Sequence, residues 1–218
     1  MTDSADEDLR RAVIEAALAT NTLGINHGTA GNVSLRQGDG FLITPSGVAY
    51  DEMAPGQIVA VGLDGTFSGD WLPSSEWRMH RDIYASRPEA MAVVHVHSMN
   101  ATALACLRRG IPAFHYMVAA AGGDEILCAP YATFGTEELS RAMLAALGPR
   151  RACLLGNHGQ IVYGPTLKKA LGLAVEVEAL AAQYLITLQA GTPALLDKAE
   201  MARVIEKFRT YGKQKTDI

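Results

Sequence analysis

The chain has 218 residues, 49% of them apolar and 19% charged, with a formal net charge of −4. That length and composition exclude a disordered or fibrous chain and allow one well-covered globular core. The mild acidity and the lack of any basic run argue against duplex nucleic acid or an anionic membrane as a partner.

Met1-Thr2-Asp3-Ser4-Ala5-Asp6 is acidic and polar, unlike the positive start of a secretion signal. The longest apolar stretches are broken by charges before reaching the length of a membrane span. Cys106, Cys128 and Cys153 share no C-x-x-C spacing and read as reduced thiols. A cytoplasmic protein is expected. Ser4 with Glu7 has the spacing of a capping box, and Leu9, Val13, Ala16, Ala17 and Thr20 recur at helical spacing up to Gly24. Short apolar runs at 33–35, 41–43 and 58–63 lie between turn residues and predict strands. Ser74 and Ser75 are placed to cap a helix that ends before Pro88.

Residues 92–97 form an uncharged β-rich run, the mark of an interior strand covered on both faces. Ser98 is expected to cap a helix to about Arg109, and Thr136 with Glu137 and Glu138 opens another to about Leu147. Strands at 152–155 and 160–162 bracket the turn Gly156-Asn157-His158-Gly159. Helices at 166–188 and 197–208 close the chain. The interleaving predicts an α/β sandwich with helices on both faces of one sheet, in a single domain spanning residues 1–218.

Two constellations carry chemistry. His95 and His97 are two apart on a predicted strand, so their side chains share a face. His158, in a glycine-flanked turn at the end of another strand, is the natural third ligand. Three imidazoles with an open fourth position describe a catalytic zinc site. An isolated H-x-H fits two satisfied core histidines equally well, and the N-H-G turn tilts the balance toward metal. His27, His80 and His115 are read as structural or as supporting the site residues from behind, and His80 shares a helical face with Glu76. The second constellation is a set of anion cradles: the segment from Gly28 through Gly31 to Asn32, the turn Thr44-Pro45-Ser46-Gly47, and the helix start at Ser74-Ser75. None has the G-K-[ST] ending of a nucleotide loop. Together, beside a candidate metal, they point to a small phosphorylated substrate.

In order along the chain, 28–34, the Pro73-Ser74-Ser75-Glu76-Trp77-Arg78 segment, Val94-His95-Val96-His97, His115-Tyr116-Met117 and Asn157-His158-Gly159 resemble the class II aldolase and adducin-head family, its L-fuculose-1-phosphate aldolase branch above all. The resemblance implies a three-layer α/β/α sandwich around a mostly antiparallel sheet, in place of the parallel one that helix alternation suggests. It implies zinc, with Mn2+ or Co2+ as substitutes, on His95, His97 and His158, and Glu76 as the catalytic acid/base. Gly31, Asn32, Ser46, Gly47, Ser74 and Ser75 fall where the family holds a substrate phosphate. Tyr116 matches a catalytic tyrosine donated by a neighbouring subunit of a C4 tetramer, and Phe134, Phe208 and Tyr211 match the aldehyde end. The implied reaction is retro-aldol cleavage of a ketose 1-phosphate to dihydroxyacetone phosphate and an aldehyde. L-fuculose 1-phosphate, 5-deoxyribulose 1-phosphate and 5-methylthioribulose 1-phosphate all qualify. Asn157 and Gln160 do not match the fuculose branch with assurance and bear on specificity.

The same fold hosts sugar-phosphate 4-epimerases, which usually carry aspartate at the position of Glu76, and methylthioribulose-phosphate dehydratases. A non-catalytic adducin-like module lacks the three histidines. A cupin wants a glutamate soon after its second histidine, and 98–102 has none. An amidohydrolase barrel needs a longer chain.

Overall fold

The structure, a computed structural model, describes residues 4–210. Helix α1 covers Ser4–Thr22, followed by strands β1 (Asn32–Gln37), β2 (Gly40–Ile43) and β3 (Val59–Gly62). Helix α2 (Trp77–Ser86), strand β4 (Ala92–Val96) and helix α3 (Met99–Cys106) come next. After β5 (Cys128–Ala129) and α4 (Glu137–Leu147), a hairpin of β6 (Ala152–Leu155) and β7 (Gly159–Gly164) leads into α5 (Leu167–Ala190) and α6 (Lys198–Phe208). The seven strands form one sheet in the order β3-β2-β1-β4-β7-β6-β5. Every pairing is antiparallel except β5 with β6.

Side-chain alternation along the strands splits the core into two layers. Ala92, Val94 and Val96 of β4 pack with α1, α3 and α5, whereas Val93 packs with α2 and α4. His95 shares the parity of Val93, so its ring points to the α2 side. On β7, Val162 faces α5 while Ile161 and Tyr163 face α2 and α4. β4 is buried at every position, as the uncharged run predicts. Helix α5 has the length and the hydropathy, 1.5 over its best window, of a membrane span. Its Ala170, Leu173, Ala174, Val177, Leu180 and Ala181 form instead the buried stripe that covers the sheet.

The structure departs from the sequence reading at three element ends. Helix α2 begins at Trp77 with Glu76 as its N-cap, because Ser74 and Ser75 belong to a preceding turn in which Trp77 N donates to Ser74 O. Ser98 sits at the N-cap of α3, yet its hydroxyl accepts from Gln160 Nε2 at 2.8 Å instead of capping. The free amides of α3 go to Glu178 of α5, whose carboxylate accepts from Asn100 N and Ala101 N. A negative side chain at a helix N-terminus does the same work as a cap, from another element. Helix α3 stops at Cys106, followed by Arg108 in the left-handed region at φ 51°.

Candidate active site

The site lies where β1, β4 and β7 run side by side. Asn32 pairs with His95 across β1 and β4, and Ile161 pairs with His95 across β4 and β7. His97 follows the last residue of β4. His158 stands in the tight turn between β6 and β7, with Asn157 at φ 55° and His158 N donating to Leu155 O. Gly159 makes this turn possible: a Cβ there would come within 2.5 Å of Val96 O and 3.0 Å of the His97 ring. Gly31 plays the same part on the other side, with only 2.5 Å between a would-be Cβ and His95 O.

The three rings meet edge to face, with centroids 4.7 to 4.9 Å apart. His95 Nε2 lies 3.0 Å from His97 Nε2. His95 Nδ1 donates to Gln160 O at 2.8 Å, which turns Nε2 toward the cluster. Glu76 enters from the start of α2. Its Oε2 lies 3.1 Å from His95 Nε2 and its Oε1 lies 3.3 Å from His158 Nε2. The ligand atoms of Glu76, His95, His97 and His158 all fall within 4.8 Å of one another.

Burial opposes every charge in this cluster. It pushes Glu76 up, but the neighbouring His95 and His158 and the Asn32 amide outweigh it and hold the carboxyl at about 2. For His95, burial pushes down and the adjacent Glu76 carboxylate reverses the sign. Burial, and then proximity to His95, push His97 down to about 4 and His158 to about 3. Glu76 is thereby held as a carboxylate, and His97 and His158 as neutral imidazoles. Glu76 Oε1 is buried and still lacks a hydrogen-bond donor. Three converging imidazole nitrogens and a carboxylate oxygen short of a partner are the donor set of a divalent ion. The residues fit such a metal.

The cradle segments gather beside this cluster. Pro45 bridges to Pro73, Ser46 N donates to Leu72 O, and Ser74 N donates to Thr44 O. Ser46, Gly47 and Ser75 are exposed, whereas Ser74 is buried with its hydroxyl accepting from Glu76 N at 3.3 Å. Asn32, expected as a phosphate contact, also reaches Glu76. It is buried, and its amide lies between Glu76 Oε2 at 3.0 Å and His80 Nε2 at 2.6 Å. His80, expected as structural or as support for the site residues, belongs to the surroundings of Glu76, as its i+4 spacing signalled.

Phe134 comes near the cradle through its neighbour Gly135, whose added Cβ would lie 2.9 Å from Ser75 O, and through Arg78 Nη1, which donates to Gly135 O. Tyr116 and Phe208 line a separate cavity with Phe114, His115, Met117 and Leu196. That lining includes no residue of the histidine cluster. Tyr211 lies outside the described residues.

Comparison with known proteins agrees with this architecture. A family model described as the class II aldolase and adducin N-terminal domain matches residues 11–185. A Rhodospirillum rubrum 5-methylthioribulose-1-phosphate/5-deoxyribulose-1-phosphate aldolase is 57% identical over 204 residues, covering 94% of this chain and 92% of its own. An L-fuculose phosphate aldolase of Escherichia coli is 52% identical over 205 residues, covering 94% of this chain and 95% of its own. Among solved structures, an L-fuculose 1-phosphate aldolase superposes with a TM-score of 0.90 at 38% identity, over 93% of this chain and 96% of that one.

Proposed function

The chain belongs to the class II aldolase and adducin family, and from that premise we propose that it is a zinc-dependent aldolase acting on a ketose 1-phosphate. The products are dihydroxyacetone phosphate and an aldehyde. The observation that carries this reading is the Glu76 carboxylate set among three imidazole Nε2 atoms, at the edge of a hydroxyl-lined cradle. His95, His97 and His158 hold the ion, and imidazole nitrogen suits Zn2+ better than a hard cation. When bound, such an ion supplies Lewis acidity to the ketose carbonyl, where negative charge develops as the C–C bond breaks.

The chain's own residues do the rest. Ser75, with Ser46 and the amide of Gly47, holds the phosphate at the start of α2. Because Glu76 follows Ser75 directly, one turn fixes the distance between the anchored phosphate and the acid/base. Tyr116, from a neighbouring subunit of a C4 tetramer, relays the proton that the hydroxyl loses as it becomes the aldehyde. Glu76, a carboxylate at rest, takes up that proton and delivers it to the carbon that the departing aldehyde leaves. Phe134, Phe208 and Tyr211 suit an apolar, deoxy-type tail. That favours 5-deoxyribulose 1-phosphate or 5-methylthioribulose 1-phosphate, in keeping with the name of the Rhodospirillum relative. The setting is cytoplasmic.

The test couples metal analysis to release of dihydroxyacetone phosphate from a panel of ketose 1-phosphates. Turnover should vanish on chelation and return with Zn2+, highest on the deoxy and methylthio substrates. Turnover that survives exhaustive chelation overturns the metal. Loss of water or epimerisation without dihydroxyacetone phosphate assigns the site to dehydratase or epimerase chemistry instead.

A further inference from the structure

We propose that the buried His80 is the positioning residue for Glu76: held in its Nε2–H tautomer by Ser34, it fixes the Asn32 amide and through it the carboxylate. The proposal rests on the reading of Glu76 as acid/base. The contacts form a chain: Glu76 Oε2 to Asn32 Nδ2 at 3.0 Å, Asn32 Oδ1 to His80 Nε2 at 2.6 Å, His80 Nδ1 to Ser34 Oγ at 2.6 Å, and Ser34 Oγ to Tyr84 OH at 2.7 Å.

Each proton in the chain has one place to go. An ionised carboxylate accepts only, so Asn32 must present its NH2 to Glu76. Its carbonyl then faces His80 and needs a donor, which puts the His80 proton on Nε2. Burial keeps this ring neutral by pushing its pKa down to about 3, so Nδ1 carries a lone pair. Ser34 therefore donates to His80 and accepts from Tyr84 OH. The far end is anchored too: the Tyr84 ring packs against Phe41 at 5.2 Å, and the Arg36 guanidinium lies over it at 4.8 Å. Both His80 and Ser34 have no exposed surface. Were His80 protonated on Nδ1 instead, Asn32 would turn its carbonyl toward Glu76. Two acceptors would then face each other 3.0 Å apart, and the carboxylate would leave its place between His95 and His158.

Two substitutions separate the ends of the His80 ring. Gln in place of histidine extends an amide nitrogen to about the Nε2 position, whereas Asn replaces only the Nδ1 side. In zinc-loaded enzyme, His80→Asn should lower kcat roughly 10–100-fold with KM and zinc content little changed, and His80→Gln should recover most of that loss. Long-range proton–nitrogen correlation spectra of zinc-loaded enzyme labelled at its six histidines should show His80 as a single neutral Nε2–H tautomer. This spectrum needs no variant, so the proposal stands or falls even if His80→Asn does not fold. An Nδ1–H tautomer overturns it, as does undiminished kcat in His80→Asn. If Glu76→Gln is inactive while His80→Asn is fully active, the positioning role alone falls. If Glu76→Gln retains turnover, the acid/base reading falls and takes the positioning role with it.

Discussion

Around Glu76 the polar side chains are buried and tied to the sheet, whereas Tyr116 and Phe134, expected toward the aldehyde, stand in solvent. His95, Asn32, His80 and Ser34 are each at most 2% exposed, while Tyr116 is 51% and Phe134 64% exposed. The first group takes its geometry from strand register and from an inward-facing hydrogen-bond chain, so one chain suffices to set it. The second group has no such support among the described residues. An exposed tyrosine and phenylalanine near a site gain precision only when something covers them. The metal half is thus built by folding, and the aldehyde half, in our reading, by assembly.

The sharpest break of that contrast is removal of a ligand. His158→Ala should abolish stoichiometric zinc and lower turnover on the order of 10³-fold, since several kcal/mol of transition-state stabilisation is lost. Because His158 stands in a turn and not in a strand, the variant should unfold near the midpoint of chelated wild type. Zinc content, turnover and thermal melting together decide this. Wild-type zinc binding in His158→Ala would remove it from the ligand set.

Next in size is Tyr116→Phe, expected to lower kcat roughly 10²-fold by removing one proton-transfer group. If the aldehyde half is completed by a neighbouring subunit, tetramers mixed from Tyr116→Phe and Glu76→Gln chains should regain part of wild-type turnover. Both parents are crippled, but some mixed sites pair an intact Glu76 with an intact Tyr116. Verified mixed tetramers without recovery would place Tyr116 in the same chain's site and dissolve the contrast.

The same contrast explains what was legible in the sequence. His95, His97 and His158 could be read because strand parity and a glycine-flanked turn are local signals. Sheet order, pairing direction and the face that His95 shares with Glu76 are set by long-range packing. Helix alternation alone pointed to a parallel sheet, and only the family resemblance pointed the other way. The cap of α3 was missed because its carboxylate, Glu178, comes from 78 residues along the chain. The contacts of Asn32 with Glu76 and His80 were not legible for a related reason. A glycine-rich segment signals a cradle, but which way its amide turns depends on His80, which the chain brings to it only by folding.

Smaller still, Ser75→Ala should raise KM roughly 10-fold and leave kcat nearly unchanged. A hydrogen bond to a charged group, worth about 1.5 kcal/mol or more, is lost equally in ground and transition states. Ser74→Ala should act differently, since Ser74 is buried with its hydroxyl accepting from Glu76 N, and its removal should lower kcat. Equal effects in the two variants would mean that exposure does not separate anchoring from positioning here.

The last test asks whether the metal half is as dry as its geometry implies. In the unfolded chain His80 has its ordinary pKa of 6.5, and burial takes it to about 3 in the fold. Below pH 6.5 the unfolded chain binds a proton that the folded protein refuses. Stability is therefore full above pH 6.5 and is lost as pH falls toward 3, at up to about 1.4 kcal/mol per pH unit. His80→Gln carries no such group. Urea unfolding of chelated wild type and variant at pH 7.5, 6.0 and 5.0 should show their difference shifting against wild type by about 1 kcal/mol between the two lower values. Taking the difference cancels the titration of groups common to both proteins. A difference that does not move with pH would mean that His80 titrates alike in both states. Water would then reach the hydrogen-bond chain behind Glu76, and the two halves of the site would not differ in the way their exposure indicates.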